Sequence, residues 1–550
     1  MASEPARAAP VMRVSTYGWY ALLILVLVYV INFIDRQIIS ILAQDIKHDL
    51  SLKDAQIGFL YGTAFAVFYA LFGIPLGRLA DSWYRGRLIA LGLGLWSTMT
   101  ALSGFASSFA MLATARIGVG IGEASASPAA YSMISDYFPK EKRATALSIY
   151  SSGLYIGGGL SLPLGGLVSS RWNAAYPHAA DAPLGLVGWQ AAFLAVGIPG
   201  LLLAMWVLSL REPLRGTSDG LAQPVVRPNA WRDFGHELAA ILPPLTVITA
   251  WRTPGAQIRV GGIQIPGALI VNLAALAGIA AVAAGLIALT GDKAQWIAYG
   301  LGIYAVFSWV QALRHRDPPV YRLIWGNRIV VMLAIAFGSI SFMTYAISFW
   351  APPYAIRTFY GLPTAPAHFL AGRTAAEEAA TILGLGAAVA AAAGVILGGI
   401  VSDLWRRRDP RGRIFVNMLA VVLPAPAVWI MFTTDSLGTF YLTSPVAQLF
   451  GSAWVGAAVA SLQDVVLPRM RATAGATYVL GTTMVGLALG PYVAGKMADV
   501  TGSLSAGIFS LYVVPPFTLI ALWIGGRRIA GLEATKVERA RAAGEPIAMG

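Results

Sequence analysis

The 550-residue sequence has no cysteine, only 12% charged residues and five histidines. Without cysteine there can be no disulfides, thiolate metal sites, iron–sulfur clusters or cysteine nucleophiles. Soluble domains carry roughly 25% charged residues, so the scarcity of charge excludes an ordinary soluble enzyme. No H-E-x-x-H motif occurs. Neither does a glycine-rich phosphate loop ending in Gly-Lys-Ser/Thr, which excludes a built-in ATPase module. GTSDG at 216–220 matches G-x-S-x-G literally. That motif works on a strand–turn–helix, and this copy sits in a polar loop, so a membrane-embedded hydrolase using Ser218 is the weakest of the alternatives. The chain reads as a non-enzyme with no cofactor and no metal.

What is present is apolar. The sequence is 57% hydrophobic, with a mean hydropathy of +0.67. A membrane span needs about 20 apolar residues. That rule places helices near 17–43, 55–80, 87–107, 108–136, 143–170 and 186–210. A second set falls near 326–354, 378–404, 412–433, 439–467, 471–499 and 504–526, with two more near 266–290 and 294–313. The fold class is all-α integral membrane, with about 14 transmembrane helices. The first apolar run, Tyr17 to Leu42, is too long for a signal-peptide core and lacks a small-residue cleavage site, so it is expected to remain as a helix.

The formal net charge of +13 resides in short loops between spans, where it sets topology and does not suggest nucleic acid. Arg78, Arg85 and Arg87 fall on one side, with Lys140, Lys142 and Arg143, the run Arg406 to Arg413, Arg469, Arg471, Arg527 and Arg528. That side is expected to be the cytoplasm, with both termini in it and the chain as a multi-pass protein of a bacterial-type inner membrane.

The chain repeats itself. GRLADSWYRGR at 77–87 has its counterpart in GGIVSDLWRRR at 398–408, aligning Gly77 with Gly399, Asp81 with Asp403 and Arg85 with Arg407. PKEKRATA at 139–146 corresponds to PRMRATA at 468–474, with Arg143 opposite Arg471. Two matched motifs in the same order imply two pseudo-symmetric six-helix bundles. The expected divisions are a tail at 1–16, a first bundle at 17–210, an insertion at 211–325, a second bundle at 326–526 and a basic tail at 527–550. Within the insertion, 229–252 reads as an amphipathic surface piece with Trp231 and Trp251. IRVGGIQI at 258–265 reads as a small hairpin.

Sorting ionisable groups by depth isolates the candidate site. His48, His178, His236, His315 and His368 fall in loops or at span edges. Asp81, Asp136, Asp403, Asp464 and Asp499 fall at helix ends. Only Asp35 and Glu123 are acids well inside spans, and Arg36 and Arg116 accompany them. Asp35 and Arg116 each lie about 12 Å from the outer end of their helix, by the rise per residue, so they can meet at one level, with Glu123 two turns deeper. Asn32, Asp35 and Arg36 share a face. Gly118, Gly120 and Gly122 leave a bare helix face for close packing. A static ion-pair network would fix helix packing. A titratable carboxylate would make this a proton-coupling site, with Asp35 and Glu123 as carriers and Arg36, Arg116 and Asn32 as charge partners and holders of an anionic substrate group. At the helix ends, Gly77, Asp81, Arg85, Asp136, Arg143, Asp403, Arg407, Asp464 and Arg471 are gating candidates. The second bundle offers Tyr345, Phe349, Trp350, Gln448 and Trp454 as cavity candidates. A cavity charged on one side and aromatic on the other suits an amphipathic substrate.

These motifs resemble the major facilitator superfamily over nearly the whole chain apart from 211–325. More narrowly, NFIDRQ at 32–37, RIGVGIGEASASPAAYSMISDYFP at 116–139 and Arg143 resemble the Spinster-like family. The resemblance implies a secondary active transporter working by alternating access, proton-coupled, with a lipid-like substrate. Asp35 and Glu123 would then be the protonation candidates. The D-R of helix one and G-x-x-E-A of helix four also resemble the anion:cation symporters, which implies small organic anions. A drug exporter is a further alternative. The implied partners are substrate, protons and membrane lipids. The oligomeric state is left open, a monomer included.

Overall fold

The computed structural model describes residues 15–215, 226, 228–253, 257–260 and 263–545. Ser218 and its loop lie outside the described residues. Among the described residues, eleven helical stretches are long and apolar enough to cross a membrane.

The first bundle begins with α1 (Thr16–Asp49), where Ser15 caps the N-terminus by accepting from the Gly18 N–H. It continues through α2 (Asp54–Ala80), broken at Gly62, and α3 (Arg85–Ser103). Next come α4 in two segments, Phe109–Glu123 and Ala126–Tyr137, then α5 (Lys140–Ala175) and α6 (Gly188–Leu208). Helices α3, α4 and α5 are not among the eleven, because charged, glycine and serine residues dilute their apolar runs. They nonetheless pack inside the bundle: α3 on α6, α4 on α2 and α5 on α1. With them, fourteen long helical stretches build the bundles and the insertion among the described residues.

The insertion follows. Helices α7 (Ala230–Ile241) and α8 (Leu245–Arg252) replace the single expected surface piece and are separated at Pro243 and Pro244. Strands β1 (Gln257–Val260) and β2 (Ile263–Pro266) pair antiparallel, as the hairpin reading expected. Helices α9 (Gly267–Thr290) and α10 (Lys293–Arg316) form an antiparallel pair. Gly291, at φ +79°, ends α9 in a left-handed conformation that favours glycine. The pair is held by a buried polar cluster. Asn272 donates to Ser308 at 3.1 Å and to Gln311 at 2.9 Å, and accepts from the Tyr304 hydroxyl at 2.6 Å. Such bonds hold helices together where lipid offers no hydrophobic drive.

The second bundle comprises α11 (Arg328–Tyr360), α12 (Ala375–Arg406), α13 (Gly412–Thr433), α14 (Leu437–Asp464), α15 (Pro468–Thr501) and α16 (Leu504–Ala534). Prolines and π-turns break the continuity expected of several spans: α13 is interrupted at Pro424, and α15 carries a π-turn over Gly481–Leu487.

The bundles meet where α2 crosses α15 and α5 crosses α12. Gly58 and Gly62 make the first crossing possible. A Cβ at Gly58 would stand 2.5 Å from the Pro491 carbonyl oxygen, and one at Gly62 2.5 Å from that of Leu487. Helix α10 lies along this same seam. Gly302 faces both Val67 of α2 and Met484 of α15, and the Thr63 hydroxyl donates to Gln295 at 2.8 Å.

The first and last described residues, Ser15 and Glu545, lie on one face, the terminal face. There the Tyr17 hydroxyl accepts from the Arg211 N–H at 2.6 Å, and the Arg211 carbonyl accepts from Tyr137. The insertion is tied to both bundles on this face. Glu237 holds Arg316 at 2.8 Å and Arg78 at 3.8 Å, while Asp317 holds Arg469 at 2.8 Å.

Candidate functional site

The centre of the first bundle is built by α1 and α4. Asp35, Arg36, Arg116 and Glu123 are all buried there, with Asn32 beside them. Arg36 Nη2 pairs with Glu123 Oε2 at 2.7 Å. Its guanidinium also lies over three rings, 4.5 Å from the Phe65 centroid, 4.7 Å from Phe33 and 5.0 Å from Tyr69. The pair and the rings thus offset part of the cost of burying both charges, although Glu123 Oε1 makes no hydrogen bond among the described residues. Arg116 takes another course. Its Nε donates to the Leu60 carbonyl at 3.3 Å and its Nη1 to the backbone carbonyl of Asp35 at 3.2 Å. Neither oxygen of the Asp35 carboxylate makes a hydrogen bond among the described residues.

The structure therefore corrects the expected pairing. Arg36 follows Asp35 in sequence but turns to Glu123, and Arg116 meets the backbone of Asp35. Gly118, Gly120 and Gly122 do not share one bare face either. Gly120 abuts Phe65 of α2, whereas Gly118 and Gly122 abut Met99, Gly92 and Trp96 of α3. A residue two on from another points to a different side of the helix.

The terminal face carries a doubled charge cluster. In the first bundle Arg85, fully buried, bonds Asp136, Glu212 at 2.7 Å, Ser132 at 2.8 Å and the Pro213 carbonyl at 2.8 Å. In the second, Arg406 bonds Asp464 and, at 2.5 Å, Glu533. Arg413 bonds Asp464 too and reaches Asp403 at 3.2 Å. Each bundle thus joins an arginine near the second-to-third helix turn to an acid ending the fourth helix and another at the end of the sixth, Glu212 just past α6 and Glu533 in the last turn of α16.

A family model of the Major Facilitator Superfamily matches residues 25–491. The chain belongs to the major facilitator superfamily. An MFS-type efflux pump of Mycolicibacterium smegmatis is 25% identical over 88% of this chain and 85% of that protein. Protein spinster homolog 1 of Xenopus tropicalis is 24% identical over 88% of this chain and 74% of its own length. A probable galactarate/D-glucarate transporter of Bacillus subtilis is 29% identical over only 39% of this chain and 45% of its own length. Among solved structures, a bacterial homolog of the human lysosomal transporter Spinster, inward-facing and occupied, superposes with a TM-score of 0.61 at 24% identity, over 97% of this chain and 98% of that one.

Within this superfamily fold, hydrogen bonds and ion pairs between the bundles gather at the distal face, opposite the termini. Asp54, at the start of α2, receives Arg357 Nη2 at 2.6 Å and Lys47 at 2.6 Å. Asp499 of α15 caps α2 from the other bundle, accepting from the Asp54 N–H at 2.9 Å and the Ala55 N–H at 2.8 Å. Arg171 of α5 reaches Glu377 of α12 at 3.2 Å.

The expected gating and cavity residues separate on this map. Asp136, Arg85 and Asp464 belong to the charge clusters. Arg407, aligned with Arg85, is exposed, and Arg406 takes the bridging place. Asp403 is largely exposed at its pairing with Arg413, and Asp81 is exposed at the end of α2. Arg143 and Arg471 stand in the first turns of α5 and the helix from Arg471, and Gly77 has open space beside it, with only the Pro128 Cβ at 4.0 Å.

Among the aromatics, Phe349, Trp350 and Trp454 are buried, a correction to their place as cavity walls. Phe349 stacks on Tyr61 at 4.2 Å, and Trp350 Nε1 donates to the Pro491 carbonyl at 2.9 Å. These contacts close the distal half. Tyr345, half-buried, lies in electrostatic reach of Arg36. Gln448 donates to the Ser348 hydroxyl at 2.6 Å and lines a small, largely apolar cavity with Met343, Ile347, Val428 and Tyr512. Sequence reasoning missed Glu212, Glu533, Arg406 and Arg413. For the two acids, the signal was a glutamate near the end of the sixth helix of each bundle.

Proposed function

We propose that this transporter is a secondary active carrier working by alternating access, coupled to protons, for an amphipathic or anionic small molecule. The buried charge cluster of α1 and α4 carries the reading. A carboxylate inside a span with no bonded partner is expensive in hydrocarbon and marks a functional group. Asp35 is the proton carrier, and Glu123 tunes it through Arg36. Arg36, Arg116 and Asn32 face an anionic headgroup, for which an arginine fork is suited. The apolar residues around Gln448 in the second bundle, Met343, Ile347 and Val428, would meet an apolar portion, which favours a lipid-like substrate. Resemblance to Spinster proteins supports the same choice.

The distal locks at Asp54 and Asp499 fit a state open toward the terminal face. The positive bias of its loops makes that face the cytoplasmic one. Gly77, Asp81, Arg85, Asp136, Arg143, Asp403, Arg407, Asp464 and Arg471 then belong to the gate on that side. The divisions at 17–210, 211–325 and 326–526 follow from the same duplication.

The test is uptake in proteoliposomes of a lysophospholipid against an aldarate, with and without a pH gradient. Gradient-driven lysophospholipid transport supports the reading. Aldarate transport alone would move the chain to the organic-anion class, which the matched segments of the Bacillus relative favour.

A further inference from the structure

Helix α3 presents to Asp35 a wall that the charge cluster does not use. Trp96 and Thr100 of this helix stand beside the Asp35 carboxylate. Trp96 is 0% exposed, Thr100 1% and Asp35 0%. Trp96 Nε1, Thr100 Oγ1 and both oxygens of Asp35 make no hydrogen bond among the described residues. A carboxylate and two donors buried together without a completed hydrogen bond are costly, about 1–3 kcal/mol for each group left unpaired. Thr100 has an obvious alternative that it declines. On the same helix the Thr98 hydroxyl donates back to the Gly94 carbonyl at 2.7 Å, and Ser103 to the Met99 carbonyl at 3.0 Å. The hydroxyl of Thr100 forgoes this usual bond and remains available toward Asp35.

The charged groups facing Asp35 are Arg116 and Glu123 from α4, with Arg36 on its own helix. Arg36 is committed to Glu123, and Arg116 bonds two backbone carbonyls through Nε and Nη1 while its Nη2 makes no hydrogen bond among the described residues. Tyr61 of α2 lies near both arginines. The wall from α3 adds only neutral donors.

We infer that Trp96 and Thr100 are positioning residues for the proton on Asp35, closing on its carboxylate when it is ionised and releasing it when it is protonated. A donor to the ionised form favours that form. The two side chains therefore set the pH at which the site loads, and they link proton binding to a movement of α3 against α1. This rests on Asp35 being the proton carrier.

The test uses the full chain in lipid nanodiscs and needs no substrate. The protonated-carboxyl stretch of Asp35 is followed by difference infrared spectroscopy against pH and assigned by its loss in Asp35→Asn. Thr100→Val and Trp96→Phe are each expected to move its midpoint alkaline by about one pH unit, the effect of losing one hydrogen bond to the charged form. Thr100→Ser restores the midpoint. Ser97→Ala leaves it unchanged, since that hydroxyl faces Gly200 of α6. An assigned band that stays put in both variants overturns the donor wall and leaves proton carriage by Asp35 standing. A spectrum in which Asp35→Asn removes no titrating band overturns both.

Discussion

The two bundles agree on their terminal face and part company inside. Arg85 with Asp136 and Glu212 in the first has its like in Arg406 with Asp464 and Glu533 in the second. Their interiors differ. The first buries Asp35, Arg36, Arg116 and Glu123 in mid-span, whereas the second has a small neutral cavity near Gln448 and buries Glu377 and Glu378 only at the start of α12. Duplication preserved the parts that hold helix ends together, and one copy specialised in charge. A transporter needs matched gates to rock about a common axis, and on the proposed reading a single proton site drives it.

The contrast between interiors should appear first in stability. Glu123→Ala strands the Arg36 cation in the core and is expected to cost about 3–5 kcal/mol. Gln448→Ala in the second bundle removes one neutral hydrogen bond and should cost about 1 kcal/mol. Thermal unfolding in detergent compares them, and equal losses would erase the distinction. The likeness of the terminal clusters has its own test. Arg85→Ala should cost about 3 kcal/mol, because Arg85 is wholly enclosed and leaves two acids behind. Arg406→Ala, whose side chain is 26% exposed, should cost about 1–2 kcal/mol, since Arg413 still serves Asp464. A reversed order would show that the clusters are not counterparts.

Asp81→Asn probes the gate itself. Spin labels on the terminal ends of α2 and α15 are expected to report longer distances than in the parent, and unchanged distributions would remove Asp81 from the gate. The smallest effect belongs to the strap that ties the insertion to the second bundle. Partial burial alone would raise the Asp317 carboxyl, but Arg469 and the Val320 N–H outweigh it and hold it below the usual carboxylate range. A depressed value means that the contribution is present above the unfolded value, about pH 4, and fades as pH falls through the folded one. Asp317→Asn should therefore cost less than about 1 kcal/mol at neutral pH and nothing in strong acid.

Much of this was legible in the sequence. Apolar run lengths mark the spans, and the doubled motifs mark the two bundles. The depth of Asp35 and Glu123 singled them out, because charge is scarce inside spans. The pairing was not legible. Helical spacing says which residues share a face and not which neighbour a long guanidinium reaches, so Arg36 was set beside Asp35 instead of Glu123. Letter matching placed Arg407 opposite Arg85, yet one residue turns a helix by about 100°, and Arg406 faces the acids. Glu212 lies just past α6 and Glu533 in the last turn of α16, both beyond the apolar runs that mark the spans. Aromatic identity does not tell a cavity wall from a core, which is why Phe349, Trp350 and Trp454 were misplaced.

The central claim is that the charged interior of the first bundle loads a proton at Asp35. The most direct measurement is transport by Asp35→Asn in proteoliposomes at several external pH values, with thermal stability followed in parallel. A variant as stable as the parent that has lost pH-dependent transport is the predicted result. A variant that transports with the parent's pH dependence would contradict the claim and pass the role to Glu123.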